Sequence, residues 1–99
     1  MSAARSTANR FMPQLKELRF LFCQSGEQSA GVRSFLNRAY PVMKKHNPHT
    51  PILMREAEGT EARVFARYEF GREQQTTLSG LTDKEIEEKV TLLVKAAPQ

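Results

Sequence analysis

The chain has 99 residues, a formal net charge of +4 and one cysteine. A chain of this length forms one domain with a modest core, which excludes a catalytic domain joined to a regulatory one. One cysteine excludes an internal disulfide and a four-cysteine zinc site, and the longest unbroken apolar stretch, residues 20–23, is far below the roughly 20 residues of a membrane-spanning helix.

Residues 1–14 are predicted to form a flexible N-terminal segment, followed by a single domain over residues 15–97. The first sixteen residues are rich in Arg, Ser and Ala and contain no acid. Such a composition is typical of a mitochondrial targeting segment, but an ordinary disordered terminus has the same character. Both interpretations stay open on composition alone.

Residues 16–23 predict the first strand, in which apolar side chains fall on both faces. A strand that is apolar on both faces is typical of a central position covered from both sides. A polar loop over residues 24–29 separates this strand from the first helix.

The first helix is predicted from about Ser29 to His46, because apolar residues recur there at helical spacing. Ser29 is a residue type that caps helix N-termini. Pro41 lacks an amide hydrogen, so we expect it to kink the helix or to split it near Tyr40.

Three further strands and a second helix complete the pattern. Residues 51–55 predict a second strand, placed at a sheet edge because it begins with Pro51. Alternation predicts a third strand over residues 62–70, with Phe70 on the same face as Tyr68, and a turn then leads to a polar edge strand over residues 74–78. Thr82 and Glu85 have the spacing of a capping box at the start of the last helix.

The element order is therefore β-α-β-β-β-α. The first β-α-β unit should be parallel and right-handed, and the hairpin makes the last two strands antiparallel. An α/β fold with a mixed four-stranded sheet of order 2-1-3-4, and with helices packed on it, satisfies both conditions. This architecture is a minimal form of the thioredoxin-like fold.

Cys23 lies at the strand–helix junction, where thioredoxin-like oxidoreductases carry their reactive cysteines. The second position of a C-x-x-C pair is Gly26, so the thiol that would resolve a mixed disulfide is missing. A reactive thiolate also needs a helix N-terminus or a base to lower its pKa, and the helix begins some six residues later. We therefore interpret Cys23 as a packing residue, with a possible thiol function as the alternative.

The sequence contains no recognisable set of catalytic, cofactor-binding or metal-binding residues. His46 and His49 are three residues apart, but Pro48 interrupts the helix that would align them, and no third ligand is evident. Neither common glycine-rich phosphate loop is present, and no pair of acids stands out as an acid–base couple. We expect no enzymatic activity and no cofactor.

Charge is distributed unevenly along the chain. Residues 33–55 contain five Lys and Arg residues and no acid, whereas residues 83–89 contain four acids. The basic stretch is either a solvated helix face or a docking surface for an acidic partner. The candidate docking residues are Arg33, Arg55, Arg67 and Tyr68. Basic residues interleaved with aromatics could also bind RNA, but the net charge is modest and the last helix is acidic.

Five segments carry a resemblance to a known family: residues 21–24, 31–36, 44–48, 51–56 and 66–71. Together they resemble the small thioredoxin-like accessory subunits (alpha subcomplex) of mitochondrial NADH:ubiquinone oxidoreductase, respiratory complex I. The same domain family includes mitochondrial ribosomal proteins. The resemblance extends from about residue 15 to the end of the last helix.

The resemblance implies a non-catalytic subunit on the matrix side of the mitochondrial inner membrane, without a membrane span. It implies docking on the peripheral arm, against the large iron–sulfur subunit, in support of assembly or stability. Some relatives carry a second cysteine where this chain has Ala57, so the disulfide possible in them is excluded here. The alternatives are a mitochondrial ribosomal protein that contacts rRNA and a monothiol redox protein.

Overall fold

A computed structural model of the chain describes residues 10–95. Most of the segment predicted to be flexible, residues 1–14, lies outside the described residues, as do the last positions of the predicted domain. Within residues 10–95, no helix combines the length and the apolar character needed to cross a membrane.

The described part of the chain forms one sheet and two α-helices in the predicted order. The elements are β1 (Leu15–Phe22), α1 (Ala30–His46), β2 (Ile52–Glu56), β3 (Arg63–Tyr68), β4 (Glu73–Thr77) and α2 (Asp83–Lys95), with short 3-10 turns at Glu27–Ser29 and Glu69–Gly71. The sheet order is β2-β1-β3-β4, in which β1 and β2 are parallel and the other pairs are antiparallel. The predicted α/β architecture is confirmed, and it is compatible with a thioredoxin-like fold.

Within residues 10–95, helices cover only one face of this sheet. Alternate residues of β1 are buried, while Arg19 and Leu21 between them are only partly covered. The prediction that both faces of β1 are covered is wrong, because α1 and α2 contribute to one common core on the same side. Mixed sheets with antiparallel pairs can leave their second face to water.

The core is formed by the inward residues of β1 and β3, by Ile52 of β2 and by the apolar stripes of the helices. Phe20 of β1 meets Phe35 of α1 with ring centroids 6.2 Å apart. Tyr68 of β3 is 1% exposed, and its hydroxyl donates a hydrogen bond to the Leu93 carbonyl of α2. These contacts fix both helices on the sheet.

The start of α1 passes very close to the loop that precedes α2. A Cβ atom placed on Gly31 would lie 2.0 Å from the Leu81 carbonyl oxygen and 3.1 Å from Cδ1 of Ile86. Real Cβ atoms essentially never lie within 3.0 Å of a heavy atom to which they are not linked by the local chain. Only glycine therefore allows this approach between the two elements.

The N-termini of the two helices are satisfied differently. At α2 the capping box is confirmed: the Thr82 amide donates to Glu85 Oε1 at 3.0 Å, and the Glu85 amide donates to Thr82 Oγ1 at 3.2 Å. At α1, Ser29 occupies the cap position but its side chain caps no helix amide. Its hydroxyl oxygen accepts the Cys23 amide hydrogen at 2.9 Å, so it holds the loop instead.

Pro41 does not divide α1, which is continuous from Ala30 to His46. The predicted split is therefore wrong. Pro41 and Asn37, whose carbonyl loses its usual helical donor, are both exposed, so water can replace the missing hydrogen bond.

The β3–β4 turn corrects the predicted third strand. The strand ends at Tyr68, and Phe70 lies in the turn with a φ of 65°, followed by Gly71 at 73°. Phe70 is 86% exposed and therefore does not share the buried face of Tyr68. The alternation of apolar residues continued past the residue at which the backbone leaves the sheet.

Candidate functional site

The side of the sheet that residues 10–95 leave uncovered, the open face, carries a mixture of arginines, acids and apolar residues. The register places these residues on it: Glu17, Arg19, Leu21, Leu53, Arg55, Arg63, Phe65, Arg67, Glu73, Gln75 and Thr77. They are exposed or only partly buried. This face offers polar and apolar contacts side by side, which is typical of a protein-binding surface.

Most arginines of the open face are matched by acids within the chain. Arg67 Nε donates to Glu17 Oε1 at 2.9 Å, across the β1–β3 pair. Arg19 lies 3.6 Å from the carboxylate of Glu73 and stacks over the Phe65 ring at 4.9 Å. Such exposed pairs contribute little to stability, but they neutralise the charge of the region around β3 and β4.

Arg55 differs from the other arginines of the open face. It is exposed on β2, and no carboxylate of residues 10–95 lies within ion-pair distance of it. Leu53, two residues earlier on the same face, is 45% exposed. The β2 side of the open face therefore combines an uncompensated cation with exposed apolar surface.

A second surface, the edge groove, lies between α1 and β2 on the helix side of the sheet. It has a volume of about 370 Å³ and is lined by Phe22, Arg33, Leu36, Asn37, Tyr40, Pro41, Met54 and Glu56. Met54 is 46% exposed although it lies on the helix-facing side of β2. The helices therefore do not extend far enough over β2 to cover Met54.

Arg33 stands at one end of the edge groove. Its Nη1 atom donates to the Cys23 carbonyl at 2.9 Å and to the Gly26 carbonyl at 3.0 Å. These bonds anchor the guanidinium to the loop after β1. The positive charge of Arg33 is thereby held at a fixed place on the groove wall.

The outer edge of β2 has no strand beside it within residues 10–95. On its inner side, the Leu18 amide donates to the Pro51 carbonyl and the Ala57 amide donates to the Phe22 carbonyl. Residues of a strand turn their backbone groups alternately to the two sides, so Ile52, Met54 and Glu56 direct theirs outward. Among the residues that the structure describes, β2 therefore presents an unpaired hydrogen-bonding edge beside the edge groove.

The structure separates the four residues predicted to dock a partner. Arg33 and Arg55 lie on the two sides of β2, in the edge groove and on the open face respectively. Arg67 lies further along the open face and is paired with Glu17. The prediction for Tyr68 is wrong, because this residue points into the core and its hydroxyl is already bonded to α2.

Sequence reasoning missed Met54 and Tyr40, which line the edge groove. Met54 lies within the predicted second strand and Tyr40 within the predicted first helix, and neither apolar position stands out in the sequence. The available signal was the position of β2 at a sheet edge, since an edge strand can leave its outward apolar residues uncovered.

Cys23 occupies an environment that sequence spacing did not suggest. Cys23 is 8% exposed, and its Sγ accepts the Gly59 amide hydrogen at 3.4 Å. Hydrogen bonds from the backbone amides of Ser25, Gly59 and Gly26 lower the pKa of Cys23 to about 7. The expectation that nothing near the thiol would lower its pKa is therefore wrong: loop amides do so without a helix N-terminus or a base.

The described part of the chain does not form a metal site. Within residues 10–95, no group of three or more His, Cys, Asp or Glu side chains is placed to hold a metal ion. His46 and His49 lie together at a separate depression of about 560 Å³, beside residues 10–16. The two histidines provide only two potential ligands, whereas a zinc site requires three or four.

The chain is similar to known proteins over most of its length. Residues 32–83 match the family described as mitochondrial ribosomal protein L51 / S25 / CI-B8 domain. The chain is 61% identical over 85 residues to the NADH-ubiquinone oxidoreductase 10.5 kDa subunit of Neurospora crassa, covering 86% of this chain and 90% of that one.

Two further relatives carry one common name, NADH dehydrogenase (ubiquinone) 1 alpha subcomplex subunit 2. The Arabidopsis thaliana protein is 43% identical over 83% of this chain and 84% of its own. The Mus musculus protein is 38% identical over 86% of both chains.

Proposed function

The chain belongs to the mitochondrial ribosomal protein L51 / S25 / CI-B8 domain family, and from that premise we propose that it is a non-catalytic accessory subunit of respiratory complex I. The observation that carries this proposal is the 61% identity to a complex I subunit, which extends over 90% of that relative. Two more relatives, from a plant and a mammal, have names of the same enzyme. The similarity therefore concerns the whole folded domain and not a single motif.

The proposed role is to dock on the matrix-side peripheral arm, against the large iron–sulfur subunit, and to support assembly or stability of the arm. We select Arg33 and Arg55 as the docking cations, because Arg33 is held by loop carbonyls and Arg55 has no carboxylate of residues 10–95 within ion-pair distance. Unmatched positive charge steers association with an acidic surface and fixes orientation. Arg67 is a rim contact, since its charge is largely matched by Glu17.

A mitochondrial ribosomal protein is the second candidate, because the family description itself includes ribosomal members. Three features count against RNA as the partner: the net charge is only +4, the arginines of β1 and β3 are paired with acids, and α2 carries acids in its first turn. RNA binding through phosphates needs clusters of unmatched cations and depends strongly on salt.

Affinity purification tests the proposal. The full chain, with an affinity tag, replaces the endogenous copy in a strain from which the gene has been deleted. We expect it to enrich the other complex I subunits from gently solubilised mitochondria, and to migrate with the intact complex in native gels. Co-migration with mitochondrial ribosomes, resistant to washing at moderate salt, would refute it. A tagged matrix protein of similar size serves as the control for nonspecific capture.

A further inference from the structure

We propose that the free edge of β2 and the edge groove together bind an extended segment of a partner subunit, which adds a fifth strand to the sheet. This inference rests on the proposed function, since it names the surface through which the subunit would dock. The segment is defined by its chemistry: one apolar side chain for the edge groove, flanked by acidic side chains on the opposite face.

The backbone of β2 provides the first requirement for strand addition. Ile52, Met54 and Glu56 direct their amide and carbonyl groups away from β1, as the bonds at Pro51 and Ala57 show. An added strand would lie about 4.8 Å from β2 and could satisfy these groups without disturbing the existing sheet. Strand addition of this kind gains its affinity from main-chain hydrogen bonds.

The edge groove provides the second requirement, a pocket for one side chain of the added strand. Successive side chains of a strand point to opposite faces of a sheet, so every second residue of the segment would face the groove. Phe22 and Leu36 are buried in the groove wall, and Tyr40 and Met54 remain partly open. The apolar lining suits a leucine or an aromatic side chain, and the volume of about 370 Å³ is large enough to hold either.

The charge around β2 indicates what flanks the apolar side chain. The neighbouring residues of the segment would face the open side of the sheet, beside Arg55 and the exposed Leu53. Arg55 has no carboxylate in ion-pair distance within residues 10–95, and Glu56 is the one acid lining the edge groove. Acidic flanking residues would therefore complement this edge, whereas basic ones would be repelled.

The opposite edge of the sheet makes a useful comparison. β4 is also an edge strand, but its side chains over Glu73–Thr77 are all polar. Polar edges of this kind discourage pairing with other chains. β2 has the sequence Ile-Leu-Met-Arg-Glu over Ile52–Glu56, and all of it beyond Ile52 is exposed. The exposed apolar residues therefore occur on the edge that has a groove beside it.

The test uses the tagged full chain described above and three variants. Met54→Lys places a charge at the mouth of the edge groove. Met54→Pro removes one outward amide, and proline is tolerated on an edge strand at a position where the amide faces away from the sheet. Leu92→Lys is the matched control. Leu92 is also an exposed apolar residue (67%), but it belongs to α2, the last element of the described chain, and not to β2. Thermal unfolding verifies that each variant is folded.

We expect both Met54 variants to reduce the amount of complex I recovered by about tenfold or more, and Leu92→Lys to leave it unchanged. Failure of the wild-type chain itself to recover complex I would refute the proposed function. Full recovery of complex I by folded Met54→Lys and Met54→Pro chains would overturn the edge proposal alone, because docking would then take place elsewhere.

Hydrogen–deuterium exchange identifies the occupant of the edge. In the isolated wild-type chain we expect the amides of Met54 and Glu56 to exchange rapidly, and in the complex we expect them to be protected. Protection in a monomeric isolated chain would mean that one of its own termini covers the edge, and would overturn the proposal. A concentration-dependent dimer that Met54→Lys abolishes would assign the edge to a second copy instead.

Discussion

Gly31 allows a sharp test of how α1 meets the loop before α2. Replacing it with alanine would ordinarily stabilise a helix, by at most about 1 kcal/mol, because glycine has the greater freedom to lose on folding. At this site the new Cβ would meet the Leu81 carbonyl oxygen at 2.0 Å. The two effects have opposite signs, so the measured stability decides whether the close approach exists in solution.

The magnitude follows from the contact that must be relieved. An ordinary Cβ contact begins at 3.4 Å, so the Leu81 carbonyl would have to retreat by about 1.4 Å. That carbonyl cannot move freely, since the Leu81 amide is bonded to the Leu78 carbonyl and the capping box follows at Thr82. Overpacking of this kind costs about 3 kcal/mol, which leaves a net loss of about 2 kcal/mol for Gly31→Ala.

Equilibrium unfolding in urea measures this loss, and thermal unfolding should show a fall in Tm of about 10 °C for a domain of this size. Asn37→Ala is the matched control, because Asn37 is exposed on the same helix and its replacement adds helix propensity without a clash. We expect this control to be about 0.5 kcal/mol more stable than the wild type. If Gly31→Ala were also more stable than the wild type, the close packing of α1 on the Leu81 loop would be refuted.

Three further predictions concern the helix cap, the thiol and the link between the helices. Thr82→Ala should lower the free energy of unfolding by about 1 kcal/mol, because it removes the capping hydroxyl. Alkylation of Cys23 by iodoacetamide should rise with pH around a midpoint near 7 instead of 9, and the stability that the lowered thiol pKa contributes should be fully present above pH 9 and lost as pH falls through 7. Arg38→Met should cost about 1 kcal/mol at neutral pH, since the Arg38 guanidinium bonds Asp83 and lowers the pKa of that carboxyl; the contribution should disappear as pH falls below the ordinary carboxylate range.

Each of these has a control that separates the named contact from a general effect. Thr82→Ser keeps the hydroxyl and should remain close to the wild type, and equal losses in both variants would contradict the cap explanation. Cys23→Ser should show no alkylation and no stability change centred near pH 7. Lys45→Met removes an exposed cation from the last turn of the same helix, where it interacts with the helix dipole, and should cost only about 0.3 kcal/mol; a loss equal to that of Arg38→Met would attribute the effect to net charge.

Sequence reasoning succeeded where the determinants are local or topological. Thr82 and Glu85 define a cap by their spacing alone, and the order of the strands follows from one crossover and one hairpin. It failed where tertiary contacts determine how a side chain is used or where a strand ends. The Ser29 hydroxyl is used by the Cys23 amide, and Phe70 follows a buried residue pattern past the point at which the strand has ended.

The candidate site was only partly predictable for the same reason. Charge patterning selected Arg33 and Arg55 as docking candidates, because the sequence between residues 33 and 55 contains no acid, and the structure places one in the edge groove and the other on the open face. It could not show that Arg67 has a partner 50 residues away in Glu17, or that Tyr68 is bonded to α2. The groove beside Met54 depends on how far α1 extends over the sheet, which no periodicity in the sequence records.

The turn at Phe70 shows where this protein could be engineered. Phe70 and Gly71 adopt positive φ angles in succession, at 65° and 73°. A left-handed conformation costs an ordinary L-residue about 1–2 kcal/mol, whereas glycine adopts it freely and asparagine at a reduced cost. The side chain of Phe70 is 86% exposed, so its contact with the Arg72 guanidinium, 5.9 Å from the ring centroid, offsets only part of that energy. Substitution of Phe70 by glycine or asparagine should therefore raise the thermal stability of the protein without disturbing the core.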